Sequence, residues 1–149
     1  MKIIVDTREK VGKNKHILDY FDKEGIQWER RKLDYGDYAL EGHETELVIE
    51  RKCSLDELAI NFTKGRDRFK REFERAQNDG AKIIVMVERG SYPKIINHKY
   101  RSRFNPKAYL QSMISWKEKY DADFVLLARP KTQAGKYIID TFRGIQNEL

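Results

Sequence analysis

The residues best suited to chemistry are two acids and a lysine near the ends of apolar segments. The run Leu47–Ile49 leads directly into Glu50, Arg51 and Lys52, and Asp37 stands a short distance before it. Side chains alternate between the two faces of a strand, so we expect Glu50 and Lys52 on one face and Arg51 on the other. Such charges at the end of a buried strand are costly unless they are compensated. A hard divalent cation with oxygen ligands would compensate them, and Asp37 would add a second carboxylate.

These groups fit the hydrolysis of a phosphodiester bond. The reaction needs a nucleophilic water, neutralisation of the phosphoryl charge and help for the leaving oxygen, and a metal ion held by carboxylates supplies the first two. We predict that Asp37, Glu50 and the backbone carbonyl of Arg51 hold this metal. We assign Lys52 to electrostatic stabilisation and positioning, because a lysine beside two acids accepts a proton poorly unless burial lowers its pKa considerably.

Short apolar segments alternating with helical patterns predict the elements that position these groups. Strands are expected over residues 2–5, 26–33, 37–41, 46–52, 82–88 and 124–127, and helices over 14–24, from 55 onward, and over 65–78, 106–119 and 132–147. The second, third and fourth strands are predicted to form an antiparallel meander, which would bring Asp37 to Glu50 across the ladder. Parallel pairing is expected in the second half. The predicted fold class is an α/β domain with a central mixed β-sheet flanked by helices on both faces.

The charge balance predicts a polyanionic partner. The chain has 30 Lys and Arg residues against 24 Asp and Glu residues, a net charge of +6, and a basic domain is biased toward nucleic acid. Residues 89–117, here called the basic segment, contain no Asp or Glu. We interpret them as a surface that follows DNA phosphates, with an aromatic ring to stack on an unpaired base; the alternative is a solvated loop and helix face. The predicted contacts there are Lys99, Tyr100, Arg101, Arg103 and Lys107.

Two parts of the chain resemble the XPF-type structure-specific nucleases. The series Gly36-Asp37-Tyr38, Glu50-Arg51-Lys52 and Asp56 matches that family's Gly-Asp, variable gap and Glu-Arg-Lys-x-x-x-Asp signature, and Val5–Glu9 resembles its Val-Asp-x-Arg-Glu segment. The resemblance covers roughly residues 2–90. It implies a restriction-endonuclease-like fold and cleavage of branched DNA with Mg²⁺ or Mn²⁺ as the cofactor.

The resemblance also implies a larger set of site residues. Asp6 would be a further carboxylate near the metal. Asp56 is explained about equally well by its place in the first turn of a helix, where negative charge suits the helix dipole. Arg51 would either pair with an acid on its own face or contact a phosphate. The implied catalytic set is Asp6, Glu9, Asp37, Glu50, Arg51, Lys52 and Asp56.

The family pattern continues with a helix that carries an arginine and, four residues later, a glutamine. Here Arg66 is followed by Lys70 and Arg68 by Glu72, so the glutamine is missing. We favour Arg68 as the matching residue, and both arginines are candidate DNA contacts. The alternative is a solvated basic helix face.

The expected organisation is a single XPF-type nuclease domain over residues 1–149, without helix-hairpin-helix or helicase segments. Cys53 is the only cysteine in the sequence, which excludes an internal disulfide and predicts an intracellular, reducing location: the cytoplasm, with association to the nucleoid in a prokaryote. No apolar run in the sequence is long enough to span a membrane. Branched DNA is the predicted partner. A homodimer and a DNA-targeting protein partner are two alternatives that the sequence leaves open.

The leading hypothesis is a metal-dependent endonuclease that cuts branched or flapped DNA near junctions between duplex and single strand. One alternative has the same chemistry: a restriction- or resolvase-like nuclease of other geometry. Another is a non-catalytic DNA-binding partner domain, but such domains lose acids from the Glu-Arg-Lys-x-x-x-Asp run, and this chain retains them. A purely structural protein of repair or replication would explain the basic segment but not the acids.

Overall fold

The computed structural model describes residues 1–147, in which six strands form one mixed sheet with helices on both faces. The strands are β1 Lys2–Val5, β2 Gln27–Arg30, β3 Tyr38–Leu40, β4 Leu47–Lys52, β5 Lys82–Glu88 and β6 Asp123–Leu127. The helices are α1 Lys15–Lys23, α2 Leu55–Phe62, α3 Arg66–Asn78, α4 Tyr92–Ile96, α5 Pro106–Tyr120 and α6 Pro130–Asn147. The predicted α/β class is confirmed. Over these 147 residues, no helix combines the length and apolar character needed to cross a membrane.

Five of the six strands run in the same direction. In the sheet order β2-β1-β3-β4-β5-β6, β1 and β2 are parallel, β3 is antiparallel to both neighbours, and β4, β5 and β6 are parallel to one another. The carboxyl ends of five strands and the amino end of β3 therefore meet at one edge of the sheet, here called the functional edge. Asp37 precedes β3 and Lys52 ends β4, so both lie at this edge.

The predicted antiparallel meander of three strands is wrong. β3 and β4 do pair antiparallel, with Tyr38 opposite Ile49, but β2 pairs with β1 in parallel, with Trp28 opposite Ile3. The reason is α1, which connects β1 to β2 as a helical crossover, and such a crossover returns the chain parallel to its starting strand. β2 thus lies at the outer edge of the sheet, and β3 lies on the other side of β1.

One boundary and one additional helix also differ from the prediction. β2 covers Gln27–Arg30 instead of residues 26–33, and the short helix α4 inside the basic segment is absent from the sequence prediction. α4 begins after Ser91, whose hydroxyl accepts a hydrogen bond from the Lys94 N–H at 3.2 Å. Its five residues are too few to show helical periodicity, so the sequence signals are the Ser91 cap and Pro93 in the first turn.

Two hydrophobic cores lie on the two faces of the sheet. α2, α3 and α5 cover one face, where Phe62 of α2 packs against Trp116 of α5 with ring centroids 5.2 Å apart. α1 and α6 cover the other face around Phe21 and Phe142. Each strand at the centre of the sheet therefore has one face toward each core.

The alternation along β4 divides its charged residues between these faces. Val48 belongs to the core under α2 and α3, and Ile49 belongs to the core under α1 and α6. Glu50 and Lys52 therefore face the α2–α3 side, and Arg51 faces the α1–α6 side. This is the division that the sequence predicts.

Candidate active site

Asp37 is placed by a glycine turn that opens β3. Gly36 has a φ of +77°, and an added Cβ would lie 2.6 Å from Val48 Cγ2, so both the conformation and the space require glycine. The Asp37 N–H donates to a carbonyl of β4 at 2.8 Å. Its side-chain Oδ2 accepts a hydrogen bond from the backbone N–H of Arg51 at 2.7 Å. The Asp37 carboxylate therefore lies beside the end of β4, next to Glu50.

Glu50 and Lys52 form a buried ion pair at the end of β4. Lys52 Nζ lies 3.0 Å from Glu50 Oε2, and the two residues are 7% and 8% exposed, respectively. The ring of Phe69 on α3 packs 5.3 Å from the ammonium. Burial alone would lower the pKa of Lys52, but the carboxylates of Glu50 and Asp37 outweigh burial and raise it. Lys52 therefore stays an ammonium, which suits electrostatic stabilisation and positioning and not general-base catalysis.

The acids at this end of the sheet carry negative charge that the chain neutralises only in part. Burial raises the pKa of Asp37 well above its ordinary value, and the carboxylates of Glu50 and Glu9 raise it further. Lys52 and the Arg51 N–H oppose this shift without cancelling it. A bound divalent cation would favour the ionised form of Asp37.

A third acid, Glu72 on α3, reaches the same place and lies outside the predicted set. Its Oε2 accepts a hydrogen bond from the Gly36 N–H at 3.0 Å. Burial, together with the neighbouring Glu50, raises the pKa of Glu72 to about 7, against the opposing effects of the Gly36 N–H and Lys52. The sequence signal for Glu72 is its position four residues after Arg68, where the XPF-type pattern has a glutamine.

Arg51 holds a second group of acids on the opposite face of the sheet. Its guanidinium donates to Glu88 Oε1 at 3.0 Å, to Glu9 Oε1 at 3.4 Å and to the Lys13 carbonyl at 2.9 Å. Tyr38 completes the group by donating its hydroxyl to Glu9 Oε2 at 2.6 Å. Of the two interpretations of Arg51, the structure thus contains the pairing with acids on its own face.

Glu88 and His16 belong to this second group and are absent from the predicted set. Glu88 is 1% exposed, and its Oε2 lies 2.5 Å from His16 Nε2. Burial alone would raise the pKa of Glu88, but the hydrogen bonds from His16 and Arg51 outweigh burial and lower it. The sequence signal for Glu88 is its place at the end of an apolar strand, the same signal that identifies Glu50.

Asp6 and Asp56, both in the predicted catalytic set, have carboxylates that are engaged elsewhere. Asp6 is fully buried and accepts hydrogen bonds from the Arg8 N–H at 3.0 Å, the Arg8 Nε at 2.5 Å and the Leu33 N–H at 2.7 Å. Asp56 accepts a hydrogen bond from the Ser102 N–H at 2.7 Å. Asp6 therefore orders the turn after β1, and Asp56 fastens the basic segment to α2.

The two faces of the functional edge open into one cleft of about 820 Å³. The buried acids and their partners form its floor, and exposed cations form its rim. These cations come from the segments that follow β1, β5 and β6, so they are far apart in the sequence. Only Arg89, the first residue of the basic segment, lies in a region that the sequence predicts to follow DNA. The floor contains Glu9, Asp37, Glu50, Arg51, Lys52 and Glu88, and the rim cations are Arg8, Lys10, Lys13, Arg89, Arg129 and Lys131.

The predicted DNA contacts lie outside this cleft. Arg68 is exposed on α3, and Arg66 packs its guanidinium 4.7 Å from the ring centroid of Trp116. The four predicted cations of the basic segment are all exposed: Lys99, Arg101, Arg103 and Lys107. They remain candidate contacts for DNA beyond the cleft.

Tyr100, the aromatic residue among the predicted DNA contacts, is partly buried and packs against its neighbours. Its ring packs against His98, with centroids 4.3 Å apart, and against Tyr109. Its hydroxyl donates to the Phe104 carbonyl at 2.6 Å. The stacking of Tyr100 on an unpaired base stays a prediction. Tyr92, which is 49% exposed, is an aromatic residue of the basic segment that remains accessible.

The donor set that fits a metal ion consists of two carboxylates and a backbone carbonyl. Within residues 1–147, no three His, Cys, Asp or Glu side chains converge as a metal-binding group. Mg²⁺ is usually held by one or two carboxylates and keeps several waters, so Asp37 and Glu50 suit it. The N–H and C=O of a strand residue point to the same side, so the Arg51 carbonyl faces the side on which its N–H meets Asp37.

Comparison with protein families matches residues 5–138 to the ERCC4 domain. The chain belongs to the ERCC4 domain family. This ERCC4 domain is similar to the solved structures of XPF from Aeropyrum pernix (22% identity, TM-score 0.73) and of XPF from Aeropyrum pernix in complex with DNA (20% identity, TM-score 0.74). The alignments cover 96% and 99% of this chain but 60% and 66% of those chains. No curated protein sequence matches the chain.

The ERCC4 match confirms the resemblance to XPF-type nuclease domains that the two sequence motifs indicate. It also carries the matched region to residue 138, beyond the roughly 2–90 to which the resemblance extends. At these identities the structural similarity establishes the fold. The predicted restriction-endonuclease-like architecture is confirmed.

Proposed function

We propose that this ERCC4 domain is a metal-dependent endonuclease that hydrolyses phosphodiester bonds in branched or flapped DNA, near junctions between duplex and single strand. The observation that carries the proposal is the convergence of Asp37, Glu50 and Lys52 in one cleft with a cationic rim. The two carboxylates fit a metal ion, the ammonium fits a phosphate, and the rim fits a polyanion.

Asp37, Glu50 and the Arg51 carbonyl would hold Mg²⁺ or Mn²⁺. The bound ion would stabilise charge on the phosphoryl oxygens and lower the pKa of the attacking water. The chain itself orients both carboxylates, because the Arg51 N–H binds Asp37 and the Lys52 ammonium binds Glu50. Positioning of this kind removes part of the entropic cost of reaching the transition state.

Lys52 would act on the phosphate directly. Its raised pKa keeps it protonated, and its burial strengthens its electrostatic effect. An ammonium has three N–H donors, and one of them binds Glu50. The others are available to hydrogen-bond a phosphate oxygen or the attacking water, so Lys52 would stabilise the charge that develops during the reaction.

Charge and family support DNA as the substrate. The cleft rim and the basic segment are two cationic surfaces on the same domain. One of the similar structures is XPF from Aeropyrum pernix in complex with DNA. The preference for branched DNA and the two alternatives for a protein partner, a homodimer or a DNA-targeting protein, rest on the XPF-type resemblance.

The test is a panel of flap, fork, nicked and linear DNA, each incubated with Mg²⁺ or with a chelator. We expect flap and fork substrates to be cut with Mg²⁺ and to stay intact with the chelator. Asp37→Asn and Glu50→Gln should abolish cutting, while DNA affinity measured with the chelator stays close to that of the wild type. Glu74→Gln changes an exposed acid on α3 and is the matched control, which should cut normally.

Each contrary outcome would reject a different part of the proposed function. Cutting by Asp37→Asn at the wild-type rate would remove this residue from the site. Equal cutting of linear duplex would favour a restriction- or resolvase-like nuclease of other geometry. DNA binding without cutting, with either Mg²⁺ or Mn²⁺, would favour a non-catalytic DNA-binding partner domain.

A further inference from the structure

Two short segments of the cleft rim, here called the two loops, carry cations that have no acidic partner. The first is residues 10–13 before α1, with Lys10 and Lys13, and the second is residues 129–132, which run into the first turn of α6 and contain Arg129 and Lys131. All four are exposed. Across the described chain, none of the four forms an ion pair, although their loops border an acidic floor. Exposed cations without acidic partners suit a polyanionic ligand.

The neighbouring lysines of the same two helices behave differently. Lys15 on α1 and Lys136 on α6 each form an ion pair with an aspartate one turn later. The positive charge of those lysines is balanced within the helix. The positive charge of the two loops is not, so it remains available to a ligand in the cleft.

α1 packs against α6, and the loops that precede the two helices reach the same cleft. A Cβ added to Gly135 on α6 would lie 2.7 Å from Tyr20 Cβ on α1, so glycine is what permits this close approach of the helices. Both loops stand at the amino ends of these helices, and both line the cleft. Two segments that are distant in the sequence thus contribute positive charge to the rim of one cleft.

Arg51 ties this surface to the candidate active site. Its guanidinium donates to the Lys13 carbonyl at 2.9 Å, and its backbone N–H donates to Asp37 at 2.7 Å. One residue thus connects the loop before α1 with a candidate metal ligand. A DNA strand whose scissile phosphate reaches Asp37 would therefore pass these loops.

We propose that residues 10–13 and 129–132 form a phosphate lip, which binds backbone phosphates of the DNA strand being cut, beside the scissile phosphate. The proposal rests on the nuclease function proposed above and adds the path of the cut strand. It assigns this strand to the lip, whereas Lys99, Arg101, Arg103 and Lys107 of the basic segment would contact DNA outside the cleft. Because phosphates carry no sequence information, the lip binds any sequence, and its binding weakens with salt.

The first experiment measures flap-DNA binding in the Asp37→Asn background with a chelator, so that cutting does not contribute. The lip variant is Lys13→Ala with Lys131→Ala, which keeps the Lys13 backbone carbonyl. The control, Lys23→Ala with Lys119→Ala, removes two exposed lysines outside the cleft. We expect weaker binding for the lip variant and a salt slope smaller by about two, one unit for each lost phosphate contact, with no such change in the control.

The second experiment locates the contact along the DNA. Each substrate in a series carries one neutral methylphosphonate at a successive position around the cut site. The Asp37→Asn protein should lose affinity when a phosphate beside the scissile one is neutralised, and the lip variant should lose no further affinity at that position. Equal losses in both proteins at every position would overturn the proposal.

The outcomes distinguish the lip from the nuclease function. A lip variant that binds DNA as the control does, or a domain that binds no DNA, overturns the lip. Cutting in the substrate panel would then still support the nuclease. Conversely, a wild-type domain that never cuts, but whose lip variant shows weaker binding and the smaller salt slope, overturns the nuclease function and supports the lip as a phosphate contact.

Discussion

The carboxylate of Asp37 accepts a hydrogen bond from the backbone N–H of Arg51 at the end of β4, at 2.7 Å. The Arg51 side chain leaves the opposite face of the strand and binds Glu9 and Glu88. Arg51 therefore makes contacts on both faces of the sheet. Its backbone N–H orients a candidate metal ligand, and its guanidinium neutralises two buried acids. These two contributions can be separated, because a substitution changes the side chain and keeps the backbone N–H.

Arg51→Met should destabilise the protein and leave the backbone bond to Asp37 intact. Glu9 and Glu88 are 8% and 1% exposed and would lose their shared cation. Removing one partner from a buried ion pair costs about 3–5 kcal/mol, and urea unfolding with a chelator measures the loss. Adding Glu88→Gln should recover part of it, because one buried charge is then removed. A loss below about 1 kcal/mol, which is typical of exposed pairs, would contradict the buried network.

Gly36→Ala should destabilise the fold and displace Asp37. Gly36 has a φ of +77°, and the new Cβ would meet Val48 Cγ2 at 2.6 Å. Gly42→Ala is the control, because Gly42 has a φ of +88° but open space around it. We expect Gly36→Ala to cost about 1–3 kcal/mol more unfolding free energy than the control, as overpacking does, and to reduce cutting. Equal losses of unfolding free energy in the two variants would mean that the positive φ, and not the contact with Val48, requires glycine at position 36.

Asp56→Ala should weaken DNA binding without abolishing the reaction. The Asp56 carboxylate binds the Ser102 N–H at 2.7 Å and so fastens the basic segment to α2. We expect faster hydrogen exchange at the Ser102 amide, a higher KM for flap DNA and a nearly unchanged kcat. Asp37→Asn is the comparison variant, because its kcat should fall to near zero. A loss of kcat in Asp56→Ala as complete as in Asp37→Asn would return Asp56 to the catalytic set.

Features that a local sequence pattern determines were predicted correctly. Features that depend on the path of the chain through the fold were not. Alternation along β4 divided Glu50 and Lys52 from Arg51 correctly, because a strand alternates whatever surrounds it. The pairing of β2 with β1 depends on the crossover through α1, and nothing within the residues of β2 encodes it. The cations of the phosphate lip come from two segments that only the assembled sheet brings together, so no spacing in the sequence marks them.

Glu72→Gln should stabilise the protein, and the gain should depend on pH. Glu72 is half-buried, and burial together with Glu50 raises its pKa from 4.5 to about 7. The folded chain then keeps a proton that the unfolded chain releases near pH 4.5, so wild-type stability falls as the pH rises from about 4.5 to 7. Glutamine does not ionise. Its oxygen can still accept from the Gly36 N–H, and its amide can donate to Glu50.

Thermal unfolding with a chelator, at a series of pH values from about 5 to 8, measures this dependence. The stability of Glu72→Gln relative to the wild type should increase with pH and level off above about pH 7, reaching on the order of 1–3 kcal/mol. Glu74→Gln, an exposed position on the same helix, should show no such trend. A difference between Glu72→Gln and the wild type that stays constant with pH would contradict the raised pKa, because the folded and unfolded chains would then lose the proton together.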